Sequence, residues 1–292
     1  MVNKEEFLRH LTGAVESLAL PPLSPAELAA LALYYERVVT LNESINLTAL
    51  TTPRDFAVKN VADSLTAVDD QLFKQLRKKR NGRPLRYIDA GTGAGLPGVI
   101  LAITRPELNV TLLDSLQKRL KIIAGILGEI TEAGRRRAEE QAEGSETSPA
   151  QKDLLHLARL SENITLPHAR AEEAGRHPDH REKYDLATAR AVANLGLLAE
   201  YLLPLLAPGG LAVCLKGPGY PEEIAAARQK IARLGGEIVN VKELQLPTDG
   251  QDKRAVIYIR KVRGTPGKFP RTPAEIKREK KHSGPSPSCL MT

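Results

Sequence analysis

Only two cysteines occur in 292 residues, Cys214 and Cys289, and neither belongs to a CxxC pair. A disulfide scaffold and a cysteine zinc site are both excluded, and a reducing compartment is the expected home. The six histidines show no metal-ligand spacing, so no metal is expected. Aromatic residues make up 4% of the chain, which disfavours a surface built to stack bases. Long apolar runs are missing as well. The most apolar stretch, residues 195–215, is broken by Glu200, Pro204, Pro208, Gly209 and Gly210, and cannot span a bilayer. The first ten residues carry Lys4, Glu5, Glu6 and Arg9 where a signal peptide needs an apolar core. These absences point to a cytoplasmic protein with no membrane partner. No internal repeat is present.

What the chain does have is ordinary globular composition, 42% hydrophobic and 26% charged, which rules out global disorder. The charge is unevenly placed. Residues 260–292 hold nine basic and two acidic side chains, an excess equal to the whole chain's net +7. This basic stretch is rich in Pro and Gly and reads as a flexible tail over 263–292, suited either to a phosphate backbone or merely to solubility. A second basic run, Lys74 to Arg86, has seven Lys or Arg and no acid.

Helical signals dominate residues 1–70, which read as a helical segment packed on a larger core. One helix is expected over 4–18. A second begins with Ser24 as N-cap, Pro25 at the first helical position and Glu27 completing a capping box. A third starts at Thr52-Pro53 and runs to about Val68. From residue 85 the pattern changes to strands alternating with helices. Strands are expected at 85–90, 109–113, 163–166, 184–189, 211–216, 237–244 and 254–260, with helices at 97–104, 116–130, 194–206 and 221–234. This alternation implies an α/β fold, a parallel sheet covered on both faces, over 71–262. No helix separates the last two strands, so they form a hairpin and the final strand runs antiparallel. Residues 132–157 read as a charged insertion, either an exposed helix or disorder.

The sequence Asp89-Ala-Gly91-Thr-Gly93-Ala-Gly95-Leu96-Pro97-Gly98 follows an apolar strand and opens a helix. Glycines permit a tight turn with positive φ and let a ligand approach the backbone. Free N–H groups at a helix start favour a polar or anionic ligand. Gly93, Gly95 and Gly98 spell GxGxxG, the dinucleotide pattern, which is weak evidence when alone. The frame with Asp89 two residues before the first glycine resembles instead the loop of S-adenosylmethionine-dependent methyltransferases. Asp114, just after the next strand, suits ribose hydroxyls in either case. Downstream, Pro208-Gly209-Gly210 before a strand and the terminal hairpin resemble the seven-stranded, Rossmann-like methyltransferase sheet, whereas a dinucleotide fold would show a second mononucleotide half.

Several motifs in order extend this likeness. Asn46-Leu-Thr48, Lys59 with Asp63-Ser64-Leu65, the glycine loop, Leu112-Leu-Asp114-Ser-Leu116, Lys118-Arg119, Arg170-Ala-Glu-Glu173, Arg190-Ala-Val-Ala193 and Lys216-Gly217 are similar to the bacterial 16S ribosomal RNA guanine-N7 methyltransferase G family, also called the glucose-inhibited division protein B family. The resemblance spans about 40 to 271, outside the insertion. Asn60 stands where that family usually carries His, and Leu120-Lys-Ile-Ile123 replaces a more aromatic stretch.

The resemblance implies methyl transfer from S-adenosylmethionine to N7 of a guanine in 16S rRNA, with the small ribosomal particle a possible form of the substrate. Guanine N7 carries a free lone pair, so no proton has to leave before attack. Catalysis is then mainly proximity and electrostatic preorganisation, and no catalytic acid, base or nucleophile is expected. Exocyclic-amine methylation usually goes with an Asn/Asp-Pro-Pro-aromatic motif at the end of the fourth strand; that position reads Ala187-Thr-Ala-Arg190. Cys214 sits in an apolar strand and is a core residue rather than a nucleophile.

Carried over by position, Gly91, Gly93 and Leu96 contact the cofactor through backbone and packing, and Asp114 holds the ribose. Ala171 and Glu172 flank the adenine, and Arg190 meets the methionyl carboxylate. Lys118, Arg119 and Lys216 are assigned to RNA, with Lys216 aimed into the crevice at the strand ends. Asp63 and Ser64 read as structural. Three rivals remain at this point: a methyltransferase of the same fold with another RNA, a protein or a small-molecule substrate, a non-catalytic RNA-binding relative, and a dinucleotide oxidoreductase. The basic runs argue against a small-molecule substrate.

Overall fold

Seven strands form one sheet in the order β3-β2-β1-β4-β5-β7-β6. The structure is a computed structural model that describes residues 2–141, 148–190, 193–250 and 252–282. The strands are β1 (Leu85–Ala90), β2 (Leu108–Leu113), β3 (Ile164–Thr165), β4 (Tyr184–Arg190), β5 (Leu206–Lys216), β6 (Gly236–Gln245) and β7 (Lys253–Lys261). β1 to β5 are parallel, and β7 inserts antiparallel between β5 and β6. The expected terminal hairpin is therefore present, with its second strand lying inside the sheet.

Strand periodicity divides the core in two. Leu85 and Tyr87 of β1, Val110 and Leu112 of β2, Leu186 of β4 and Val213 and Leu215 of β5 face one side. Ile88, Leu113, Ala187, Ala189, Ala212 and Cys214 face the other. Alternation of this kind is imposed by the pleat. Burial pushes the Cys214 thiol up to about 12, as fits a core residue.

The first side is covered by α1 (Lys4–Ser17), α2 (Pro25–Ile45) and a continuous helical run, α3, over residues 53–65. Ser24 and Glu27 form the predicted capping box, with Ser24 N donating to Glu27 Oε2 at 2.7 Å and Glu27 N to Ser24 Oγ at 3.3 Å. Four of the eleven aromatic residues cluster here. Phe7 stacks on Tyr35 with centroids 4.5 Å apart, and Phe56 lies 5.0 Å from Tyr35 and 5.9 Å from Tyr34. Such pairs add about 0.5–1.5 kcal/mol each beyond their burial. The middle of α3, Phe56–Ala62, is π-helical, which the sequence pattern did not announce. Another helix, α4 (Asp70–Lys79), takes up most of the second basic run. Then α5 (Gly98–Thr104) follows the glycine loop.

The presumed insertion is a packed helical pair. Helix α6 runs from Gln117 to Glu140, ten residues beyond its expected end, and α7 spans Pro149–Leu157. Ile130, Gly134 and Ala138 recur at near-helical spacing and are buried, as are Leu154 and Leu157. The charges occupy the outer face, which masked this stripe. A Cβ on Gly134 would lie 2.8 Å from both Leu157 C and Ala158 N, so the two elements touch through backbone. Residues 142–147 of the expected insertion lie outside the described residues.

The other side of the sheet is covered by the short α8 (Ala171–Ala174), α9 (Leu195–Leu202) and α10 (Tyr220–Arg233). Past β7, residues 263–271 depart from the flexible tail their composition predicts: they are strapped to the body. Arg181 donates to the carbonyls of Thr265 (2.7 Å), Phe269 (2.9 Å) and Gly175 (2.7 Å), and Arg176 to that of Pro270 (2.7 Å). Arg271 forms a two-pronged pair with the buried Glu200, at 2.8 Å for each contact. Backbone carbonyls thus satisfy the cations. Helix α11 (Pro273–His282) follows, and residues 283–292 lie outside the described residues.

Candidate active site

The glycine loop leaves the carboxyl end of β1 and is fixed from beneath by Asp89. This fully buried carboxylate accepts from Thr92 Oγ1 (2.7 Å) and Gly98 N (3.0 Å) through one oxygen, and from Thr188 Oγ1 (2.9 Å) through the other. Thr188 lies directly across from Asp89 in the β1–β4 register. Burial raises the Asp89 carboxyl to about 6, against these hydrogen bonds, which lower it. From above, Tyr34 of α2 donates its hydroxyl to the Ala94 carbonyl at 2.6 Å.

The glycines have different reasons. A Cβ on Gly98 would meet Leu112 Cδ2 at 2.3 Å and Asp89 Oδ2 at 2.8 Å, so this glycine permits helix–sheet packing. Gly93 has φ +59°, and a Cβ there would find only the Gly91 carbonyl, 4.0 Å away. Its surroundings are open, and an approaching ligand meets bare backbone. Leu96 is buried, 4% exposed, and its side chain belongs to the core below the loop.

Asp114 ends β2 beside the loop. Its Oδ2 accepts from Gly93 N at 2.9 Å and its Oδ1 from Leu116 N at 2.8 Å. A carboxylate offers about four lone-pair directions, so two remain for hydroxyl donors. Residues 168–174 are tied to the same place: Asp114 and His168 form an isolated parallel bridge, Ala169 N donates to Asp114 O at 3.2 Å, and His168 Nε2 lies 3.0 Å from Ser115 O. Ala171 and the buried Glu172 follow at the start of α8, three and four residues after His168. These donor and acceptor types fit an adenosine group. The exposed Lys118 and half-buried Arg119 occupy the first turn of α6.

Arg190 and Lys216, which both end strands, have partners within the chain that follow from the pleat. Arg190 follows Leu186 and Thr188 at a spacing of two, so it projects toward the α1–α3 layer. There its Nη1 donates to the Lys59 carbonyl and its Nη2 to Asn60 Oδ1, both at 2.8 Å, and Asp63 Oδ2 lies 3.6 Å away. The π-helical stretch supplies the first two acceptors; such bulges recur at functional sites. Asn60 is itself fully buried. Lys216 projects to the opposite face, where it does not enter the crevice. It donates to Ala193 O (3.0 Å) and pairs with Glu223 of α10 (2.7 Å). Glu223 also accepts from Leu195 N at 2.6 Å, so this lysine anchors the segment after β4. Ala191 and Val192 lie outside the described residues. Sequence reasoning gave no part to Thr92 and Thr188, which bond to Asp89, or to Tyr34, which bonds to the loop, and it left open what Asn60 contacts; only the β1–β4 register exposes Thr188.

Among the described residues no helix is long and apolar enough to cross a membrane. No group of three His, Cys, Asp or Glu among them is placed to hold a metal ion.

A sheet of this strand order with a reversed seventh strand, bearing a glycine loop after β1 and a carboxylate after β2, defines an S-adenosylmethionine-dependent methyltransferase of the Rossmann-like class. The family described as rRNA small subunit methyltransferase G matches residues 27–156 and 150–254, and the chain belongs to that family. The chain is 39% identical to ribosomal RNA small subunit methyltransferase G of Symbiobacterium thermophilum over 247 residues, 85% of this chain and 87% of the relative. It is 38% identical to that of Bacillus subtilis over 272 residues, 93% and 96% of the two chains. Among solved structures it is similar, with TM-score 0.43 and 15% identity, to the 16S rRNA (adenine(1408)-N(1))-methyltransferase from Catenulisporales acidiphilia, over 68% of this chain and 96% of that one.

Proposed function

We propose that the chain transfers the methyl group of S-adenosylmethionine to N7 of a guanine in 16S rRNA, acting in the cytoplasm on the RNA within the small ribosomal particle. The observation that supports this reading is the open backbone at Gly93 held beside the Asp114 carboxylate, in a chain of this family. S-adenosylmethionine, when bound, supplies an electrophilic methyl group on sulfur.

The chain's own residues position and hold. The Asp114 carboxylate, oriented by Gly93 N and Leu116 N, accepts the ribose hydroxyls. Gly91 and Gly93 allow close approach to the loop backbone. The backbone N–H of Ala171 and the carboxylate of Glu172 read the adenine edge. Leu96 supports the loop from the core side. Arg190 acts as a positioning residue, holding α3 to the end of β4, and Lys216 does the same for the segment before α9. Lys118 and Arg119 meet RNA phosphates. Because N7 has its lone pair free, none of these residues has to remove a proton, and the rate gain comes from alignment and a fixed field.

The test is incubation with labelled S-adenosylmethionine and small ribosomal particles lacking this methylation, followed by nucleoside analysis. Label in 7-methylguanosine of the 16S rRNA supports the reading. Cofactor binding without transfer to that RNA overturns the substrate, and label in another nucleoside overturns the N7 assignment.

A further inference from the structure

The crevice lies at the carboxyl ends of β1 and β2, whereas the second basic run lies at the opposite end of the sheet. Helix α4 and the turn after it lead directly into Leu85, the first residue of β1. Arg80 and Arg86 pair there with Asp185, the second residue of β4, at 3.3 and 3.7 Å. β1 has six residues, so this surface is about 20 Å from the glycine loop.

Five further cations on it, Lys74, Arg77, Lys78, Lys79 and Arg83, are exposed. None of the five has an ion-pair partner among the described residues. Phe73 and Leu76 turn inward from α4, while Lys74, Arg77 and Lys78, at spacings of three and four, form one outward strip. Asp70 lies 3.9 Å from Arg105. Glu107 lies beside Leu85 and Glu237 across from Arg260, and neither is paired with the five.

The simplest alternative is that basic residues in the last turn merely complement the helix dipole. That accounts for Arg77, Lys78 and Lys79. It does not account for Lys74, a turn earlier, or Arg83, beyond the helix. Closely spaced cations with no ion-pair partner suit phosphates, which are contacted irrespective of base sequence.

We propose that this pole is a second phosphate-binding surface, which grips a distant segment of folded 16S rRNA while the target guanine occupies the crevice. The proposal rests on the RNA-substrate reading above. It separates two kinds of RNA. A short hairpin that fills only the crevice does not reach around the sheet, whereas a large folded RNA does.

The test uses the full chain with Lys74→Glu, Arg77→Glu and Lys78→Glu combined, and a milder triple change to Gln. Cofactor affinity, binding to a short hairpin carrying the target guanine, binding to deproteinised 16S rRNA, and methylation of unmethylated small ribosomal particles are measured against salt. The expected result is cofactor and hairpin affinity within about twofold of the starting protein. Affinity for 16S rRNA and kcat/KM on particles fall by about tenfold or more near physiological salt, with a salt slope shallower by about two to three. The Gln variant falls in between. Unchanged rRNA binding, or an equal loss on hairpin and rRNA, overturns the proposal. If the starting protein methylates no RNA, the functional reading fails on its own, and the rRNA-binding comparison still decides the surface.

Discussion

The hydroxyl of Tyr34, on α2, donates to the carbonyl of Ala94, in the glycine loop, at 2.6 Å. The two residues are 60 positions apart, and the bond is fully buried. It couples the N-terminal helices to the glycine loop. The aromatic group of Phe7, Tyr35 and Phe56 holds Tyr34 in place from behind.

Tyr34→Phe therefore removes one hydrogen bond and leaves the Ala94 carbonyl without that donor. The expected cost is about 1–3 kcal/mol of stability, together with a several-fold weaker affinity for S-adenosylmethionine. Chemical unfolding and calorimetric titration check the two parts. Reduced stability with unchanged cofactor affinity would separate the helices from the function of the loop.

Asp89 makes a prediction about pH. Its carboxyl is raised from the ordinary 3.8 to about 6, chiefly by burial. The folded chain then holds this proton at pH values where the unfolded chain has released it. Folding stability contributed by this group is fully present below about pH 4 and is lost as pH rises to about 6. A shift of that size corresponds to about 3 kcal/mol. Asp89→Asn keeps an oxygen for Thr92 and Gly98 and does not titrate. Urea unfolding between about pH 4 and pH 7 is expected to show a flatter stability profile in the variant. An unchanged profile would assign the pH dependence to other groups.

Much of this fold is legible in the residues themselves. The capping box at Ser24 and Glu27, the alternating strands and the terminal hairpin all follow from local pattern and turn chemistry. The glycine loop and Asp114 are legible for the same reason, since they lie close in sequence to the strand ends that position them. Arg190 and Lys216 are harder. Both end strands, but their directions depend on which face of the sheet each strand presents, and that is set by the core on each side. Residues 132–157 mislead because their abundant charges surround a thin buried stripe that includes Gly134, Ala138, Leu154 and Leu157. The strap at 263–271 misleads because its partners, Arg176, Arg181 and Glu200, are 71 or more residues away.

Glu200 is the centre of that strap. Burial acts to raise its carboxyl, but hydrogen bonds from Arg271 and Lys230 prevail and hold it at about 2. Its contribution to stability is present above about pH 4.5 and is lost as pH falls toward 2. Glu200→Gln leaves two cations without their counter-ion in a partly screened setting, at an expected cost of about 2 kcal/mol. The release is local. Tryptic cleavage at Arg263 and Lys268 is expected to accelerate before the sheet unfolds. Cleavage that instead tracks global unfolding would show that Arg176 and Arg181 suffice to hold the strap.

Lys118, Arg119 and Lys216 were grouped by sequence position, and the structure separates them. Lys118 is exposed and Arg119 half-buried in the first turn of α6, whereas Lys216 donates to Ala193 O and pairs with Glu223. Replacing Lys118 or Arg119 with Ala is expected to leave stability and cofactor affinity nearly unchanged. Each change would weaken RNA binding and reduce its salt slope by about one. Lys216→Ala is expected to do the reverse: it frees Glu223 and the segment before α9, costing about 1–3 kcal/mol, with the salt slope for RNA retained. Measuring all three variants by thermal unfolding and by salt-dependent RNA binding distinguishes the roles. A reduced salt slope with intact stability in Lys216→Ala would return this lysine to the RNA-binding surface and require its pair with Glu223 to open when RNA binds.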